Sequence, residues 1–326
     1  MTRLLAAVFL STVFAPVPAP PELFHRDVYL MGTRARLAVY AASEDEGFTL
    51  LERALKVLER TERELTTWRD DSEVSRLNRT PVGEPWRANP ELCRTFAALY
   101  EWTARTAGAF DPGIGALTDA WQLHGAGRVP SDAELVRALA RSRLERIRFE
   151  RDGCTLTRDV DVTIDVGAFG KGEALDRVVR ELPAAPWMID LGGQVSVGGP
   201  NPREGAWTID IAHPSDRDRR LMRVRIAGGS LSTSGNSERA LEVDGARIGH
   251  MLDPRTGKPA PFDGSVVVWH EQGLAADILS TALYVMGPEA GLPWAKARGL
   301  AVCYLVHESG AVRRLMTDAF AKVTHI

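Results

Sequence analysis

The sequence predicts an α+β fold, and three observations lead to this prediction. The chain has 326 residues, of which 44% are hydrophobic and 25% charged, which is the composition of a globular protein with a sizeable core. Helical and strand-like segments follow one another without the regular strand–helix–strand rhythm of a doubly wound sheet. No repeat of about 20–50 residues and no low-complexity tract is present. We therefore expect an α+β fold, either as one large domain or as two lobes with boundaries near residues 80–88 and 198–206.

Two kinds of periodicity place the elements along the chain. Leu51, Leu55, Leu58 and Leu65 recur near a 3.6-residue period and predict a long helix, whereas the stretch 68–78 is polar and predicts a loop. The predicted helices cover residues 43–65, 90–106, 130–141, 170–182 and 274–286. The predicted strands cover residues 34–40, a hairpin within 146–158, 187–191, several short stretches within 207–250, 266–269, and a hairpin of 302–306 with 312–315.

The first 19 residues have the pattern of a secretory signal. Arg3 supplies a positive charge, residues 4–15 are apolar, and Val17-Pro18-Ala19 ends in a small residue. Because Pro18 makes the cleavage position ambiguous, an uncleaved N-terminal anchor is the alternative. In both cases we expect residues 20–326 to be exported. The formal net charge of −3 and the lack of a basic run argue against nucleic-acid binding.

Three cysteines are widely spaced in the chain. Cys93, Cys154 and Cys303 form an odd set without a C-x-x-C motif, which argues against a disulfide framework and against a zinc site. Each has apolar neighbours in the sequence, so we expect all three to serve as core packing.

Asp277 and Thr281 are the most informative pair in the chain. They lie four residues apart in the apolar run 274–286 and therefore share one helix face. A buried carboxylate needs a cation or a network of donors, and two hard oxygen ligands suit Mg²⁺ or Ca²⁺. The alternative is structural: Thr281 would hydrogen-bond to its own helix and Asp277 would pair with a distant arginine.

Three glycine-rich clusters can bring backbone close to a phosphate. The first, 165–172, opens a helix and carries Lys171, but its glycine spacing fits neither a P-loop nor the dinucleotide-binding fingerprint. A tight strand-to-helix turn is the alternative. The clusters 190–194 and 232–236 are also explained by plain hairpins.

His250 precedes a segment, 253–257, with turn chemistry throughout. A lone histidine in this position is often structural, but His250 is also the best-placed candidate for a general base, since histidine changes charge near neutral pH. No nucleophile–base pair stands out elsewhere. If the protein is an enzyme, we expect the substrate to supply the nucleophile.

Taken together, these segments resemble the FAD:protein FMN transferase family, known as the ApbE family. The similarity spans roughly residues 28–320, and its motifs are individually weak but occur in the family's order. They are Met31-Gly-Thr33, residues 67–78, Ala107 to Pro112 with Trp121, residues 165–176, Asp190-Leu-Gly-Gly193, Thr233-Ser-Gly235 with Glu238-Arg239, His250 with residues 253–257, and Ala276-Asp277 with Thr281-Ala282.

The resemblance implies a single T-fold-like domain of two interlocked halves, with FAD in the central cleft. It further implies an exported, Mg²⁺-dependent enzyme, in the periplasm or at the outer face of the inner membrane. Such an enzyme transfers FMN from FAD to a Ser or Thr hydroxyl as a phosphoester and releases AMP. The acceptor would be a protein subunit of an exported or membrane redox complex, which agrees with the absence of a nucleophile in this chain.

The same resemblance assigns roles to individual residues. Asp277, Thr281 and the backbone carbonyl of Ala168 match the metal ligands, and His250 is our candidate for the base that takes the acceptor's proton. The positions that match FAD contacts are Met31, Trp68, Ala109, Phe110, Asp111, Asp165 and Lys171. Structural alternatives remain for three of these: a loop cover for Trp68, a core position for Phe110 and a helix N-cap for Asp165.

Four positions depart from the family pattern. Gly113 and Ala116 replace Thr and Pro, Glu173 replaces an aromatic residue, and Ser237 replaces Tyr. Because the metal positions and Asp111 are intact, these departures do not indicate loss of metal or FAD binding. They leave two other hypotheses open: an FAD pyrophosphatase that needs no protein acceptor, and an exported flavin-binding protein without turnover.

Overall fold

The computed structural model describes residues 20–182, 185–236, 240–243, 246–308 and 310–325. The strands are β1 (Glu22–Leu30), β2 (Thr33–Ala41), β3 (Pro85–Arg87), β4 (Ile147–Glu150), β5 (Thr155–Arg158), β6 (Trp187–Leu191), β7 (Gln194–Gly198), β8 (Trp207–His213), β9 (Asp216–Ile226), β10 (Gly229–Gly235), β11 (Ala240–Val243), β12 (Ala246–Gly249), β13 (Gly264–His270), β14 (Ala301–Glu308) and β15 (Ala311–Met316). The helices are α1 (Glu44–Leu65), α2 (Glu73–Arg79), α3 (Pro90–Arg105), α4 (Gly115–Ala120), α5 (Asp132–Ala140), α6 (Gly170–Glu181), α7 (Gly273–Lys296) and α8 (Asp318–Thr324), with a 3₁₀ turn at Leu144–Arg146.

An eight-stranded antiparallel sheet, in the order β1-β2-β6-β7-β10-β13-β14-β15, forms the centre of the fold. Side chains alternate between its two faces, as the period of a strand requires. On β13, for example, Val266 and Val268 face the core beneath α7, whereas Val267 faces the opposite core. The mixed elements confirm the predicted α+β class.

Helices cover one face of the sheet in two groups. Helices α1 and α6 pack over β2 and β6, where Leu37, Ile189 and Leu58 are fully buried. Helix α7 packs over β10, β13 and β14, and its apolar side chains continue into the core around α3. The two groups touch where α6 meets α7, so the sheet carries two joined halves, as predicted.

The opposite face of the sheet is covered by the β8–β9 ribbon and α8. Ile209, Val224 and Phe320 are buried there against Val195 and Cys303 of the sheet. Cys303 is therefore a core residue, as expected. Among the described residues, no helix is long and apolar enough to cross a membrane.

The prediction for the other two cysteines is wrong. Cys93 on α3 and Cys154 before β5 form a disulfide, with 5.6 Å between their Cα atoms. The small sheet β3-β5-β4 brings the β4–β5 hairpin against the start of α3, where the Ala88 N–H donates to the Cys154 carbonyl at 2.9 Å. Residues 61 positions apart thus become neighbours, which their spacing alone did not indicate.

Most predicted elements are confirmed, with one error and several omissions. The stretch 68–78 is not all loop, since α2 begins at Glu73 with a cap from Ser72 and buries Val74 and Leu77. The omitted elements are β1, β3, β7, α4 and α8. The predicted end of the helix at residue 286 coincides with an interruption, because Gly287 has a φ of +69° and Pro288 follows it.

Candidate active site

The N-terminal ends of α6 and α7 meet without a side chain between them. A Cβ at Gly172 would overlap the carbonyl oxygen of Gly273, and a Cβ at Gly273 would lie 2.8 Å from the carbonyl oxygen of Gly172. Glycine at both positions therefore permits the closest approach of the two helices. Because helix N-termini carry partial positive charge and free N–H groups, their junction favours an anion.

Each of the two helices supplies a carboxylate to the other. Asp176 of α6 accepts hydrogen bonds from the backbone N–H groups of Gly273 (2.5 Å) and Leu274 (3.0 Å) at the start of α7. Asp277 of α7 accepts from the Gly172 N–H of α6 at 2.9 Å. This reciprocal capping fixes both helices. Burial raises the pKa of Asp176 to about 6, against the opposing effect of the two N–H donors.

Asp277 is buried and has the cation that its burial demands. Lys171 Nζ lies 3.7 Å from Asp277 Oδ1, while Oδ2 is held by Gly172. The predicted network of a cation and a donor around this carboxylate is therefore present, and the alternative of a distant arginine is wrong. Lys171 remains partly exposed, so its ammonium group faces both Asp277 and the solvent.

Ala168 and Thr281 are the other two positions that the resemblance assigns to the metal. The Phe169 carbonyl accepts the first intrahelical bond of α6, from Glu173, and the Gly172 N–H donates to Asp277 instead of to Ala168. As a result, the Ala168 carbonyl accepts no backbone hydrogen bond within the described ranges. Thr281 lies one turn beyond Asp277 and is half-buried. No group of three His, Cys, Asp or Glu side chains suited to a metal occurs in the described part of the chain.

The turn between β1 and β2 lines the same region. Met31 Cε is 3.7 Å from the position of a Cβ at Gly170, and Glu62 of α1 fixes the turn by accepting from the Met31 N–H at 2.7 Å. The β6–β7 hairpin adjoins this turn, because Gly192 packs directly against the side chain of Thr33. The cluster 190–194 is therefore a hairpin, as the structural alternative held, but it borders the helix junction.

The β10 segment holds α7 from below. Ser232 and Ser234 both hydrogen-bond to Ser280 of α7, at 2.9 and 2.8 Å. The cluster 232–236 thus lies largely on a strand rather than in a hairpin. Deeper in the sheet, Gln194 Nε2 donates to the Gly273 carbonyl at 3.2 Å and ties β7 to the start of α7.

Asp165 organises the loop before α6. It accepts hydrogen bonds from the Gly167 N–H at 2.8 Å and from Thr118 at 3.1 Å, and His124 Nε2 lies 3.5 Å from its Oδ2. Burial raises the pKa of Asp165, but the hydrogen bonds from His124, Gly167 and Thr118 outweigh burial and hold that pKa below its ordinary value. The N-cap alternative is wrong, since Phe169 occupies the N-cap position of α6.

Trp68 is 73% exposed and packs edge-on against His124, with ring centroids 5.1 Å apart. The sequence did not single out His124. Asn78 of α2 holds the same loop from the other side, because its side chain both donates to and accepts from the backbone of Ile164 (3.0 and 2.8 Å). The motif of residues 67–78 thus carries the exposed indole and anchors the Asp165 loop.

Asp111 and its neighbours are interior. The Asp111 carboxylate accepts from the N–H groups of Gly113 and Leu144, both at 2.8 Å, and from Arg143 Nε at 3.1 Å. Burial raises its pKa despite these three donors. Ala109 and Phe110 are also buried, the latter in the core beneath α7. All three residues are therefore covered by other parts of the protein in this structure.

His250 follows β12 and is half-buried. Its neighbour Gly249 packs against Asn236, and Asn236 donates to the Tyr284 hydroxyl of α7 at 2.6 Å. These contacts connect the His250 segment to the helix that carries Asp277. The turn 253–257 is held by Trp121, which donates from Nε1 to the Gly257 carbonyl at 2.8 Å.

Three of the four departures from the family pattern are packing positions. Gly113 is closely covered, since a Cβ there would lie 2.6 Å from the Leu144 nitrogen. Ala116 is buried beside α5, and the Glu173 carboxylate is buried against Arg177 Nε at 2.7 Å. The fourth, Ser237, lies outside the described residues, as do Glu238 and Arg239.

Comparisons with known proteins identify the family of this chain. The profile of the ApbE family matches residues 31–304. A FAD:protein FMN transferase of Klebsiella pneumoniae (strain 342) is 30% identical over 302 residues, which cover 89% of this chain and 86% of the relative. A FAD:protein FMN transferase of Vibrio cholerae is 29% identical over 331 residues, which cover 98% of this chain and 98% of the relative.

Solved structures share the fold. The flavinyl transferase ApbE of Pseudomonas stutzeri superposes with a TM-score of 0.82 at 27% identity, covering 94% of this chain and 98% of that chain. The ApbE protein of Thermotoga maritima gives a TM-score of 0.83 at 29% identity, covering 93% and 99%. The resemblance read from the motifs is confirmed, and the chain belongs to the ApbE family.

Proposed function

We propose that this protein is a FAD:protein FMN transferase. The observation that carries the proposal is the junction of the α6 and α7 N-termini, where Lys171 Nζ lies 3.7 Å from Asp277 Oδ1 and the Gly172 N–H donates to Oδ2. Relatives of similar length that carry the name FAD:protein FMN transferase support it. The junction suits a pyrophosphate, because two positive helix ends and an ammonium group favour a dianion.

The proposed reaction requires no nucleophile from this chain. The hydroxyl oxygen of a Ser or Thr in the acceptor protein attacks the phosphorus on the FMN side of the pyrophosphate. The bond from that phosphorus to the bridging oxygen breaks, AMP leaves with the bridging oxygen, and the hydroxyl proton passes to a base. Charge accumulates on the non-bridging oxygens as this happens, so Lys171 and the helix ends stabilise the transition state.

A divalent cation fits the oxygen set of the site. The Asp277 carboxylate, the Thr281 hydroxyl and the Ala168 carbonyl are hard ligands of the kind that Mg²⁺ takes, and the Ala168 carbonyl is not used by α6. We propose these three residues as the protein ligands. When bound, Mg²⁺ would neutralise charge on the pyrophosphate oxygens.

The remaining predicted contacts are proposed as follows. We propose Met31, Trp68 and Asp165, whose side chains are exposed or half-buried, as FAD contacts, together with the buried residues Ala109, Phe110 and Asp111. His250 remains the candidate base, and its proposal rests on the connection of its segment to α7 through Asn236. The acceptor is proposed to be a subunit of an exported or membrane redox complex.

We also propose that the protein is exported to the periplasm or to the outer face of the inner membrane. The signal-like residues 1–19 lie outside the described residues, so support comes from elsewhere. The Cys93–Cys154 disulfide supports export, because structural disulfides persist in oxidising compartments and are rare in the cytosol.

The test is a mass spectrum of the products after incubation with FAD and Mg²⁺, with and without an acceptor protein that bears a family-type acceptor motif. We expect an acceptor mass increased by FMN, together with AMP. A matched reaction without Mg²⁺ should leave the acceptor unmodified. Free FMN and AMP without acceptor modification would replace the proposal by the pyrophosphatase hypothesis, and intact FAD in every reaction would replace it by the binding protein.

A further inference from the structure

His124 connects two groups that the family resemblance places at the FAD site, although His124 itself is not among the predicted contacts. Its ring meets the Trp68 ring at an interplanar angle of 71°. On its other side, Nε2 lies 3.5 Å from Asp165 Oδ2. The histidine therefore lies between the loop that carries the indole and the loop that opens α6.

Trp68 has little other support in this position. An indole that is 73% exposed has few packing contacts to fix its plane. A perpendicular ring contact covers at most one indole face, so at least one face stays open. An exposed, oriented aromatic face is the surface on which a planar ring of a ligand stacks.

Asp165 is well anchored, which lets it hold the imidazole. Its backbone N–H donates to the Pro112 carbonyl at 2.8 Å, and its carboxylate is fixed by Thr118 and Gly167. The orientation is thus transmitted from a fixed carboxylate to the imidazole and from the imidazole to the indole.

We propose that His124 is a positioning residue of the FAD site, which orients Trp68 so that its open face stacks on a planar ring of FAD. This inference rests on the proposed function. His124 acts through Trp68 and does not itself take part in the chemistry. Its side chain is 41% exposed and belongs to none of the hydrophobic cores, so replacing it should leave the fold intact.

A double-mutant cycle tests the proposal. FAD is titrated without Mg²⁺ and without acceptor, with flavin fluorescence as the signal, into the wild type, His124→Ala, Trp68→Ala and the double variant. We expect His124→Ala to weaken FAD binding about three- to tenfold, the range of an aromatic pair. We expect no further loss of FAD affinity when His124→Ala is combined with Trp68→Ala, because the effects of substitutions at coupled residues are not additive. In the FMN transfer reaction, His124→Ala should raise the KM for FAD and leave kcat unchanged.

Two further variants separate the ring contact from the carboxylate contact. His124→Phe keeps the ring contact but loses the contact with Asp165 and should restore part of the FAD affinity, whereas His124→Gln keeps only a hydrogen-bond donor and should restore none. The control is His213→Ala, which removes the edge-on ring contact between His213 on β8 and His307 on β14. This control should leave FAD binding unchanged. Titrations with FMN and with AMP, read by calorimetry, identify which ring stacks on Trp68.

The inference is overturned if the two single variants are additive, if His124→Gln restores binding and His124→Phe does not, or if His124→Ala binds FAD like the wild type. Failure of the proposed function looks different, because there the wild type itself does not transfer FMN to the acceptor protein.

Discussion

Asp277 combines a structural and a chemical role in one side chain. Its Oδ2 accepts from the Gly172 N–H at 2.9 Å, and its Oδ1 faces Lys171 and the proposed metal. An asparagine keeps an acceptor for Gly172 but loses the charge. We expect Asp277→Asn to lower FMN transfer about 100-fold or more with little change in the unfolding midpoint. Transfer at the wild-type rate under limiting Mg²⁺ would contradict the metal assignment.

Lys171 is expected to weaken the binding of Mg²⁺ and to strengthen the binding of FAD. Its ammonium group, 3.7 Å from Asp277, competes with a metal for that carboxylate but attracts the pyrophosphate. We expect Lys171→Met to strengthen Mg²⁺ binding to the FAD-free protein and to weaken FAD binding in the absence of metal, each about tenfold. Calorimetric titrations of the two ligands check the signs. Weaker binding of both would show that Lys171 only orders the site.

Single residues differ in how far sequence alone identifies them. Asp277 could be found because a carboxylate in an apolar helix demands a partner, and the partner is there. Ala168 was identified only from the family resemblance, because every residue type has a backbone carbonyl and the sequence cannot show which carbonyl binds a metal. His124 was missed because a lone histidine in a turn shows no periodicity, and its contacts depend on how distant loops fold together.

The contact between α6 and α7 depends on glycine at the crossing point. A methyl group at Gly172 would overlap the Gly273 carbonyl and push the helices apart. We expect Gly172→Ala to lower the free energy of unfolding by about 1–3 kcal/mol and to abolish FMN transfer. Gly228→Ala is the control, since nothing lies within 4 Å of a Cβ there. Denaturant unfolding and transfer assays compare the two, and equal behaviour would contradict the steric argument.

Asp176, which caps α7 from α6, gives this contact a pH dependence. Burial raises its pKa from an ordinary value of 3.8 to about 6 in the folded protein, so between these values the folded state holds the proton more tightly. The contribution of this group to stability is therefore present below pH 4 and is lost as pH rises through 6, by up to about 3 kcal/mol. We expect Asp176→Asn to gain stability relative to the wild type between pH 4 and pH 7. Measurement of the free energy of unfolding against pH checks this, and the same pH dependence in both proteins would contradict it.

The sequence predicts long helices and strands well, and it predicts short elements and contacts between distant segments poorly. Helix α1 has 22 residues and a clear apolar stripe, and its predicted range is nearly the observed one. Helix α2 has 7 residues, too few to show a period, so it was taken for a loop. The Cys93–Cys154 disulfide was rejected by counting cysteines, although the packing of the β4–β5 hairpin on α3 decides it.

The whole molecule is organised so that its two halves meet at the candidate site. The central sheet pairs β2 with β6 within one half and β7 with β10 between the halves, and both pairings join distant parts of the chain. Such non-local pairing cannot be read from local periodicity, and the interlocked halves were expected only from the family resemblance. One half contributes α6 with Lys171, and the other contributes α7 with Asp277.

A ligand at this junction should therefore stabilise both halves together. Neither half alone holds the complete set of groups, because Ala168 and Lys171 lie at α6 whereas Asp277 and Thr281 lie on α7. With FAD at about 100 times its dissociation constant in the presence of Mg²⁺, we expect about 2.7 kcal/mol of stabilisation from mass action. Hydrogen exchange should then slow at the amides of residues 170–176 and of 273–277 to a similar extent, and Asp277→Asn should remove the Mg²⁺-dependent part at both. Protection confined to α6 would contradict a shared site, because a ligand held by one helix has no reason to protect the other.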